Sequence, residues 1–214
     1  MSDFLKNKFD SIIFDLDGTL WDSTANVAEA WQAAKLKVDY IHEDITPEHV
    51  GSIVGMAYDA IFVKLFPYLT DEQRNEFKAL AAKSELEVLH EKGGTFYPGL
   101  KETLAYLNQK YRLFIVSNCQ SGYIETFLKM DGIDAYFEGH QCYGTKGQPK
   151  WENIKDVVAD YQLKSPVYVG DTMGDYESSK KAGVPFIFAA FGFGKVNEDQ
   201  IATINEFTEL KSIL

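Results

Sequence analysis

The sequence has little cysteine and no long apolar run. Its two cysteines, Cys119 and Cys142, are too few for a disulfide framework and do not form a CxxC pair, so we expect a reducing, cytoplasmic location. No apolar stretch approaches the roughly 20 residues that a membrane-spanning helix needs. The first residues also lack the charged and apolar regions of a signal peptide. These absences predict a globular protein without a membrane partner.

Positive charge is also scarce. The chain of 214 residues has 21 Lys and Arg against 32 Asp and Glu, which gives a net charge of -11. An acidic protein has no general attraction to nucleic acids or anionic membranes, so neither is an expected partner. An anionic substrate must therefore be drawn by a local site. The length suits one core with or without a smaller accessory domain, and the sequence shows no internal repeat.

An apolar run that ends in two carboxylates is the first candidate site. Residues 11–20 read SIIFDLDGTL, so a predicted strand is followed by Asp15, Asp17 and a turn at Gly18. Residues i and i+2 of an extended segment share a face, and these carboxylates are therefore expected to lie together. Such a pair shares either a proton or a cation, and hard oxygen ligands suit Mg²⁺. Taken alone, the stretch is equally typical of an ordinary Asp-Gly turn.

Helical patterns occupy the next part of the chain. Helix starts are predicted at Ser23 or Thr24, at Thr46 and at Thr70, and residues 51–60 are predicted to form a helix with glycine near its start. We interpret residues 21–96 as a helical insertion that returns to the rest of the chain through a glycine-rich hinge at 93–99. Its histidines have no metal-ligand spacing, and its apolar stripes are typical of packing faces.

Strands and helices alternate from residue 98 onward. Buried strands are predicted at 112–116 and 167–169, a weaker one at 135–142 and a last one at 186–188. This alternation predicts an α/β fold with a parallel sheet. Right-handed crossovers then gather the carboxyl ends of the strands at one edge, where such sheets bind ligands.

Four short motifs resemble those of the haloacid dehalogenase (HAD) superfamily. They are Asp15-Leu16-Asp17-Gly18-Thr19, Ser117-Asn118 after a strand, a lysine before the helix at Trp151, and Gly170-Asp171 with Asp175. The resemblance covers nearly the whole chain. It implies a Rossmann-like core from residues 1–20 and 97–214, and an inserted helical cap from 21–96, as in the subgroup of phosphoglycolate phosphatases and β-phosphoglucomutases. The cap matches only by position and helicity.

The resemblance implies chemical roles for the aspartates. Asp15 is expected to attack phosphorus and form an aspartyl-phosphate, which divides one difficult hydrolysis into two steps. Asp17 is expected to act as general acid and base and to give Mg²⁺ its backbone carbonyl. Asp171 is expected to be the third metal ligand. Asp175 is expected to hydrogen-bond a metal-bound water or to orient the lysine, without binding the metal itself. A helix cap would explain only one of the last two aspartates.

The phosphate-binding residues follow from the other two motifs. Ser117 and the N–H groups of Asn118 and Cys119 are expected to bind phosphoryl oxygens. The chain lacks the lysine-proline pair common in these enzymes and offers both Lys146 and Lys150. We select Lys150, because it directly precedes a helical apolar pattern, although a lysine in a flexible loop can also reach a phosphate.

The expected activity is Mg²⁺-dependent, phosphoglycolate phosphatase-like hydrolysis of a small phosphate monoester. Dehalogenase relatives are expected to lack the second carboxylate, Asp17, and a phosphonate-cleaving relative would need a Schiff-base lysine that nothing in the insertion marks. A sugar phosphomutase uses the same core residues and stays open, as does a non-catalytic phosphate-binding module. We expect a small phosphorylated metabolite as partner and a monomer or weak dimer, with residues 51–58 facing the site.

Overall fold

A parallel sheet forms the centre of the protein, which is described by a computed structural model over residues 5–214. The strands are β1 (Ser11–Phe14), β2 (Trp21–Asp22), β3 (Thr95–Phe96), β4 (Arg112–Ser117), β5 (Phe137–Cys142), β6 (Pro166–Gly170), β7 (Phe186–Ala189) and β8 (Ala202–Ile204). Six of them form one sheet in the order β5-β4-β1-β6-β7-β8, and all its pairings are parallel. The predicted α/β fold is confirmed.

Helices cover both faces of this sheet. They are α1 (Thr24–Lys35), α2 (Pro47–Gly51), α3 (Tyr58–Leu65), α4 (Asp71–Lys92), α5 (Leu100–Leu107), α6 (Tyr123–Leu128), α7 (Tyr143–Lys146), α8 (Lys150–Asp160), α9 (Met173–Ala182) and α10 (Leu210–Ile213). Short 3₁₀ helices lie at Ile133–Tyr136 and Phe207–Glu209. Along β1, Ile12 and Phe14 belong to one apolar cluster and Ile13 to the other, because successive side chains of a strand point to opposite faces. This two-sided burial explains the continuous apolar runs of the strands.

A helical insertion, α1 to α4, leaves and rejoins the core at a pair of short antiparallel strands. Trp21 pairs with Phe96 and Asp22 with Thr95, so β2 and β3 bring the two crossings together. Gly94 fits against Trp21, since a Cβ there would lie 2.6 Å from the indole ring. The glycine-rich hinge thus lies where it was expected, while the division into domains at residues 21–96 stays a prediction. Within residues 5–214, no helix has the length and apolar character needed to cross a membrane.

Two predicted elements differ from the structure. The helix predicted over 51–60 is wrong, because the chain turns between the end of α2 at Gly51 and the start of α3 at Tyr58. Gly55 has φ +82 in this turn, a conformation that suits glycine and interrupts a helix. The strand at 186–188 is not the last. The short β8 follows it at the sheet edge, where only Ile204 is buried and the apolar signal is correspondingly weak.

The predicted helix starts are otherwise close to the observed ones. Thr46 and Thr70 each accept a hydrogen bond from the backbone three residues on, in capping boxes completed by His49 and Gln73. Ser23 precedes α1 but makes no capping hydrogen bond with its side chain. Its hydroxyl instead donates a hydrogen bond to Asp17.

Candidate active site

The predicted site residues converge at the carboxyl edge of the sheet. Asp15 directly follows β1, Ser117 ends β4, and Asp171 directly follows β6. Because β1 pairs in parallel with both β4 and β6, these three strand ends are neighbours. The backbone N–H of Asp15 donates to the carbonyl of Val169 at 2.8 Å, which continues this pairing to the first aspartate.

Lys150 lies between two of the aspartates. It is the first residue of α8, it is 3% exposed, and its Nζ lies 2.9 Å from Asp15 Oδ1 and 2.6 Å from Asp175 Oδ1. Lys146 instead forms a 2.7 Å ion pair with Asp156 at the surface. Of the two candidate lysines, the structure therefore brings Lys150 to the acidic cluster and leaves Lys146 outside it.

Asp175 has two structural roles. With Thr172 it forms the capping box of α9, in which the Thr172 N–H donates to Asp175 Oδ2 at 2.9 Å and the Asp175 N–H donates to Thr172 Oγ1 at 3.2 Å. Its other oxygen, Oδ1, accepts the hydrogen bond from Lys150. The helix-cap interpretation and the lysine-orienting interpretation of this residue are thus compatible.

Three buried carboxylates could hold a metal ion. Asp15, Asp171 and Asp175 each offer an oxygen, and these oxygens lie within 4.8 Å of one another. Asp15 Oδ1 is buried and, apart from its ion pair with Lys150, has no directed hydrogen bond from residues 5–214. A Cβ at Gly18 would lie 2.2 Å from Asp171 Oδ2, so the main chain packs directly against this carboxylate. Three buried carboxylates clustered in this way fit a hard cation such as Mg²⁺.

The electrostatics of this cluster also favour a cation. Burial, and then the charge of Asp175, raise the pKa of Asp15 to about 7, although Lys150 acts in the opposite direction. Burial, followed by the charges of Asp175 and Asp15, raises the pKa of Asp171 well above its usual range. Burial alone would lower the pKa of Lys150, but Asp15 and Asp175 together outweigh it and raise that pKa. One ammonium therefore does not balance three carboxylates, and a divalent ion would.

Asp17 lies outside the three-carboxylate cluster. Its Oδ1 accepts hydrogen bonds from Trp21 Nε1, Ser23 Oγ and Tyr123 OH, each at 2.8 Å. Burial raises the pKa of Asp17, and these hydrogen bonds lower it in part. All three donors engage one oxygen, so the carboxylate is held in a fixed orientation at the pocket wall. Sequence reasoning missed these three residues. Only Trp21 and Ser23, which closely follow Asp17 in the chain, could have been suspected.

Ser117, the last residue of β4, and Asn118, which follows it, face the same pocket. Ser117 is buried, and its Oγ accepts a hydrogen bond from the Cys119 N–H at 3.4 Å. Asn118 Nδ2 donates to the carbonyl of Gly55 at 2.7 Å, so the core and the helical insertion meet here. Asn118 Oδ1 is buried and has no partner among residues 5–214. The expectation that residues 51–58 face the site is confirmed by this contact and by the pocket lining.

The pocket lies between the sheet edge and the insertion and has a cavity volume of about 60 Å³. Asp15, Asp17, Ser117 and Asn118 line one side of it. The insertion contributes an apolar wall, made of Val27, Val50, Ile53, Val54, Met56 and Ile61.

A buried glutamate of the insertion, Glu85, also lines the pocket, and no sequence motif indicated it. Its Oε2 accepts hydrogen bonds from Trp31 Nε1 at 2.7 Å and Tyr58 OH at 3.4 Å, and its Oε1 accepts one from Gln120 Nε2 at 3.0 Å. Burial raises the pKa of Glu85 to about 7, hydrogen bonds from Gln120 and Trp31 lower it, and the charge of Asp17 raises it further.

Comparison with known proteins connects this geometry to a family. The model of the haloacid dehalogenase-like hydrolases matches residues 12–189. The phosphoglycolate phosphatase of Aquifex aeolicus is 30% identical over 193 residues, which cover 87% of each chain. The phosphoglycolate phosphatase of Photobacterium profundum is 33% identical over 195 residues, with 85% of this chain and 83% of the relative covered.

Solved structures share the fold. A crystal structure from Haemophilus somnus, described as a predicted phosphoglycolate phosphatase, has a TM-score of 0.81 at 23% identity, with 96% of this chain and 97% of the other covered. CbbY from Rhodobacter sphaeroides in complex with phosphate has a TM-score of 0.78 at 14% identity, with 94% and 96% covered. The helical insertion is part of what these structures share, because the matches span nearly the whole chain.

Proposed function

We propose that this chain, which belongs to the haloacid dehalogenase-like hydrolase family and is a phosphatase, hydrolyses small phosphate monoesters through an aspartyl-phosphate on Asp15. The observation that supports this most is the position of Asp15. Its carboxylate lies against Lys150 and the acidic cluster on one side and borders the pocket on the other. A nucleophile for an anionic ester needs this combination of access and nearby positive charge.

We propose Mg²⁺ as the cofactor. Asp15, Asp171 and the backbone carbonyl of Asp17 would hold it, with Asp175 behind them, bonded to Lys150. When bound, the ion would offset the charge of the phosphoryl group and the mutual repulsion of the carboxylates. The unbalanced charge of the buried cluster supports this assignment.

The remaining residues act in two in-line displacements at phosphorus, which form and then hydrolyse the aspartyl-phosphate. Ser117 Oγ and the N–H of Asn118 bind phosphoryl oxygens, and Lys150 keeps Asp15 ionised and aimed at phosphorus. An oxygen of Asp15 forms a bond to phosphorus as the ester oxygen leaves with a proton from Asp17. Asp17 then takes a proton from water, whose oxygen attacks the aspartyl-phosphate, releases phosphate and restores Asp15. Such proton transfer contributes about 10²–10⁴-fold to a rate.

The substrate class comes from the relatives. Those described above are named as phosphoglycolate phosphatases, so a small phosphorylated metabolite is the proposed substrate. We further propose that the chain works in the cytoplasm as a monomer or weak dimer, with residues 21–96 as a cap domain over the site.

The test is phosphate release from p-nitrophenyl phosphate with Mg²⁺, comparing the wild type with Asp15→Asn. The wild type should turn over, and the variant should lose activity by about 10³-fold or more, because its amide does not attack phosphorus. Acid-quenched wild-type protein should carry a phosphoryl mass on the peptide that contains Asp15. Asp156→Asn, at an exposed ion pair, is the matched control and should keep wild-type activity. Equal rates for wild type and Asp15→Asn would remove Asp15 as the nucleophile.

A further inference from the structure

We propose that the pocket accepts phosphate esters whose leaving alcohol carries a further hydroxyl group and rejects those whose leaving alcohol carries a carboxylate, with Glu85 as the specificity-determining residue. This inference rests on the proposed phosphatase function and concerns the part of the substrate that departs from phosphorus. It departs from the names of the relatives, because the leaving alcohol of 2-phosphoglycolate carries a carboxylate.

The pocket offers no positive charge to a second anionic group. Among residues 5–214, its lining includes the carboxylates of Asp15, Asp17 and Glu85 but no lysine, arginine or histidine. Lys150 lies behind Asp15 and is bonded to Asp175. Lys150, and Mg²⁺ when bound, would offset the charge of Asp15 and of the phosphoryl group. A carboxylate on the leaving alcohol would instead lie near Asp17, Glu85 and the apolar wall without a counter-ion of its own, which is unfavourable.

Glu85 is held in place as a hydrogen-bond acceptor. Three donors reach it, two at Oε2 and one, from Gln120, at Oε1. Each carboxylate oxygen has room for two donors, so Oε1 can accept one more. Because Trp31 and Tyr58 belong to the insertion and Gln120 follows β4, the position of Glu85 is fixed from both sides of the pocket.

Asn118 supplies a second open acceptor. Its Nδ2 is used by the Gly55 carbonyl, and its Oδ1 is buried without a partner among residues 5–214. A buried acceptor without a donor is costly, so a ligand that donates here gains affinity. A hydroxyl group can donate to Asn118 Oδ1 or to Glu85 Oε1, whereas an ionised carboxylate can donate to neither.

The walls of the pocket suit a short alcohol that carries a hydroxyl group. Its insertion side is apolar, whereas Asn118 and Glu85 offer acceptors. A short leaving alcohol with one polar donor fits this space, because its carbon atoms contact the apolar wall while its hydroxyl meets the acceptors.

The experiment compares three esters of similar size, 2-hydroxyethyl phosphate, ethyl phosphate and 2-phosphoglycolate. For the wild type we expect kcat/KM to be highest for 2-hydroxyethyl phosphate and about tenfold or more lower for 2-phosphoglycolate. The assays are run above pH 7, where Glu85 is ionised, and in Glu85→Gln this ratio should shrink by about tenfold, because the negative charge is removed. A purely structural defect would lower both rates together and leave their ratio unchanged.

Two control variants sharpen the comparison. Glu87→Gln changes an exposed glutamate on the same helix and should keep the wild-type ratio. Lys64 is a cation near the pocket, but it does not line it and donates to the carbonyl of Ser52. Because Lys64 is therefore not expected to bind the carboxylate of the substrate, Lys64→Ala should not selectively lower activity on 2-phosphoglycolate. If the wild type hydrolyses 2-phosphoglycolate at least as well as 2-hydroxyethyl phosphate, the inference is wrong although the proposed function holds.

Binding separates the two proposals. The affinities of Asp15→Asn for the same three esters, measured by calorimetry with Mg²⁺, should follow the same order. If no ester is hydrolysed by the wild type while this order is found, the proposed function fails, whereas the preference of the pocket for a hydroxyl over a carboxylate is supported as a binding preference. If the order is absent or reversed, the inference is overturned whatever the turnover.

Discussion

Lys150 and Asp175 form a buried ion pair that joins the starts of two helices. Lys150 is the first residue of α8, Asp175 completes the capping box of α9, and their side chains meet at 2.6 Å. The two helices pack against each other on one face of the sheet. Because Lys150 Nζ also lies 2.9 Å from Asp15 Oδ1, the packing of these helices sets the position of the ammonium beside the proposed nucleophile.

Replacing this lysine should damage both activity and stability. Lys150→Met keeps an unbranched side chain that is one atom shorter but leaves buried carboxylates without their ammonium, and breaking a buried pair costs about 3–5 kcal/mol. We expect kcat/KM to fall by about 100-fold or more and the free energy of unfolding to fall by about 3 kcal/mol without Mg²⁺. Urea unfolding and p-nitrophenyl phosphate turnover measure the two effects.

Lys146→Met is the matched control for that prediction. Lys146 pairs with Asp156 at the surface, and exposed ion pairs contribute less than about 1 kcal/mol. The control should keep the wild-type rate. If Lys146→Met were the more damaging of the two, Lys146 and not Lys150 would be the lysine that serves the site.

The backbone at Gly18 is expected to be as important as the side chains around it. Gly18 has φ +82, and a Cβ there would lie 2.2 Å from Asp171 Oδ2. Gly183 has a similar φ of +76, but nothing lies within 4 Å of its Cβ position. Gly183→Ala should therefore cost only the backbone strain, about 1 kcal/mol, and keep its activity.

Gly18→Ala should carry the same strain and also displace the carboxylate of Asp171. We expect it to be the less stable of the two variants and to lose about 100-fold or more in kcat/KM, because a proposed metal ligand moves. Thermal unfolding and turnover of both proteins, measured side by side, make the comparison. Similar behaviour of the two alanine variants would show that the site tolerates displacement of Asp171.

The central residues of the candidate site could be predicted from the sequence, because local patterns determine where they lie. Asp15, Ser117 and Asp171 each stand at the end of an apolar strand, and a parallel sheet gathers such ends at one edge. Asp175 follows its strand within the same motif. These positions can be predicted without knowledge of distant contacts.

The pocket wall could not be predicted in this way. Glu85 is one of several acidic residues of α4, and only the packing of α4 buries it beside Gln120, which is 35 positions away in the chain. Tyr123 meets Asp17 across 106 positions. The turn at Gly55 replaced a predicted helix because one glycine takes a positive φ. Such contacts depend on tertiary structure, which the periodicity of a single segment does not encode.

Mg²⁺ should stabilise the protein through the acidic cluster. Asp15, Asp171 and Asp175 repel one another in the folded state, and a cation that binds only the folded state raises its stability by about 2.7 kcal/mol at 100 times the dissociation constant. We expect the melting temperature of the wild type to rise with Mg²⁺. Asp171→Asn should be more stable than the wild type without metal and respond less to it, because one charge of the cluster is gone.

The exposed variant Asp156→Asn is the control for the metal experiment, since Asp156 pairs with Lys146 at the surface. It should show the wild-type response to Mg²⁺. A full response in Asp171→Asn would indicate that the ion binds elsewhere.

Glu85 should make stability depend on pH. Burial raises the pKa of Glu85 to about 7 from its ordinary value of 4.5. Below about pH 4.5 the residue is protonated in both the folded and unfolded states and carries no penalty. Between about pH 4.5 and 7 the unfolded state loses the proton first, so stability falls as the pH rises, and above about pH 7 the full penalty of about 3 kcal/mol is present.

Glu85→Gln removes this titration, and its free energy of unfolding relative to the wild type should therefore rise by about 3 kcal/mol between pH 4.5 and 8. Changes in hydrogen bonding to Trp31 and Gln120 add an offset, but an amide does not titrate and the offset stays constant with pH. Glu87→Gln, exposed on the same helix, should show a difference that does not vary with pH. Urea unfolding of the three proteins across this range measures the slopes. A flat difference for Glu85→Gln would mean that Glu85 is ionised in the folded protein at ordinary cost, stabilised by its three hydrogen-bond donors.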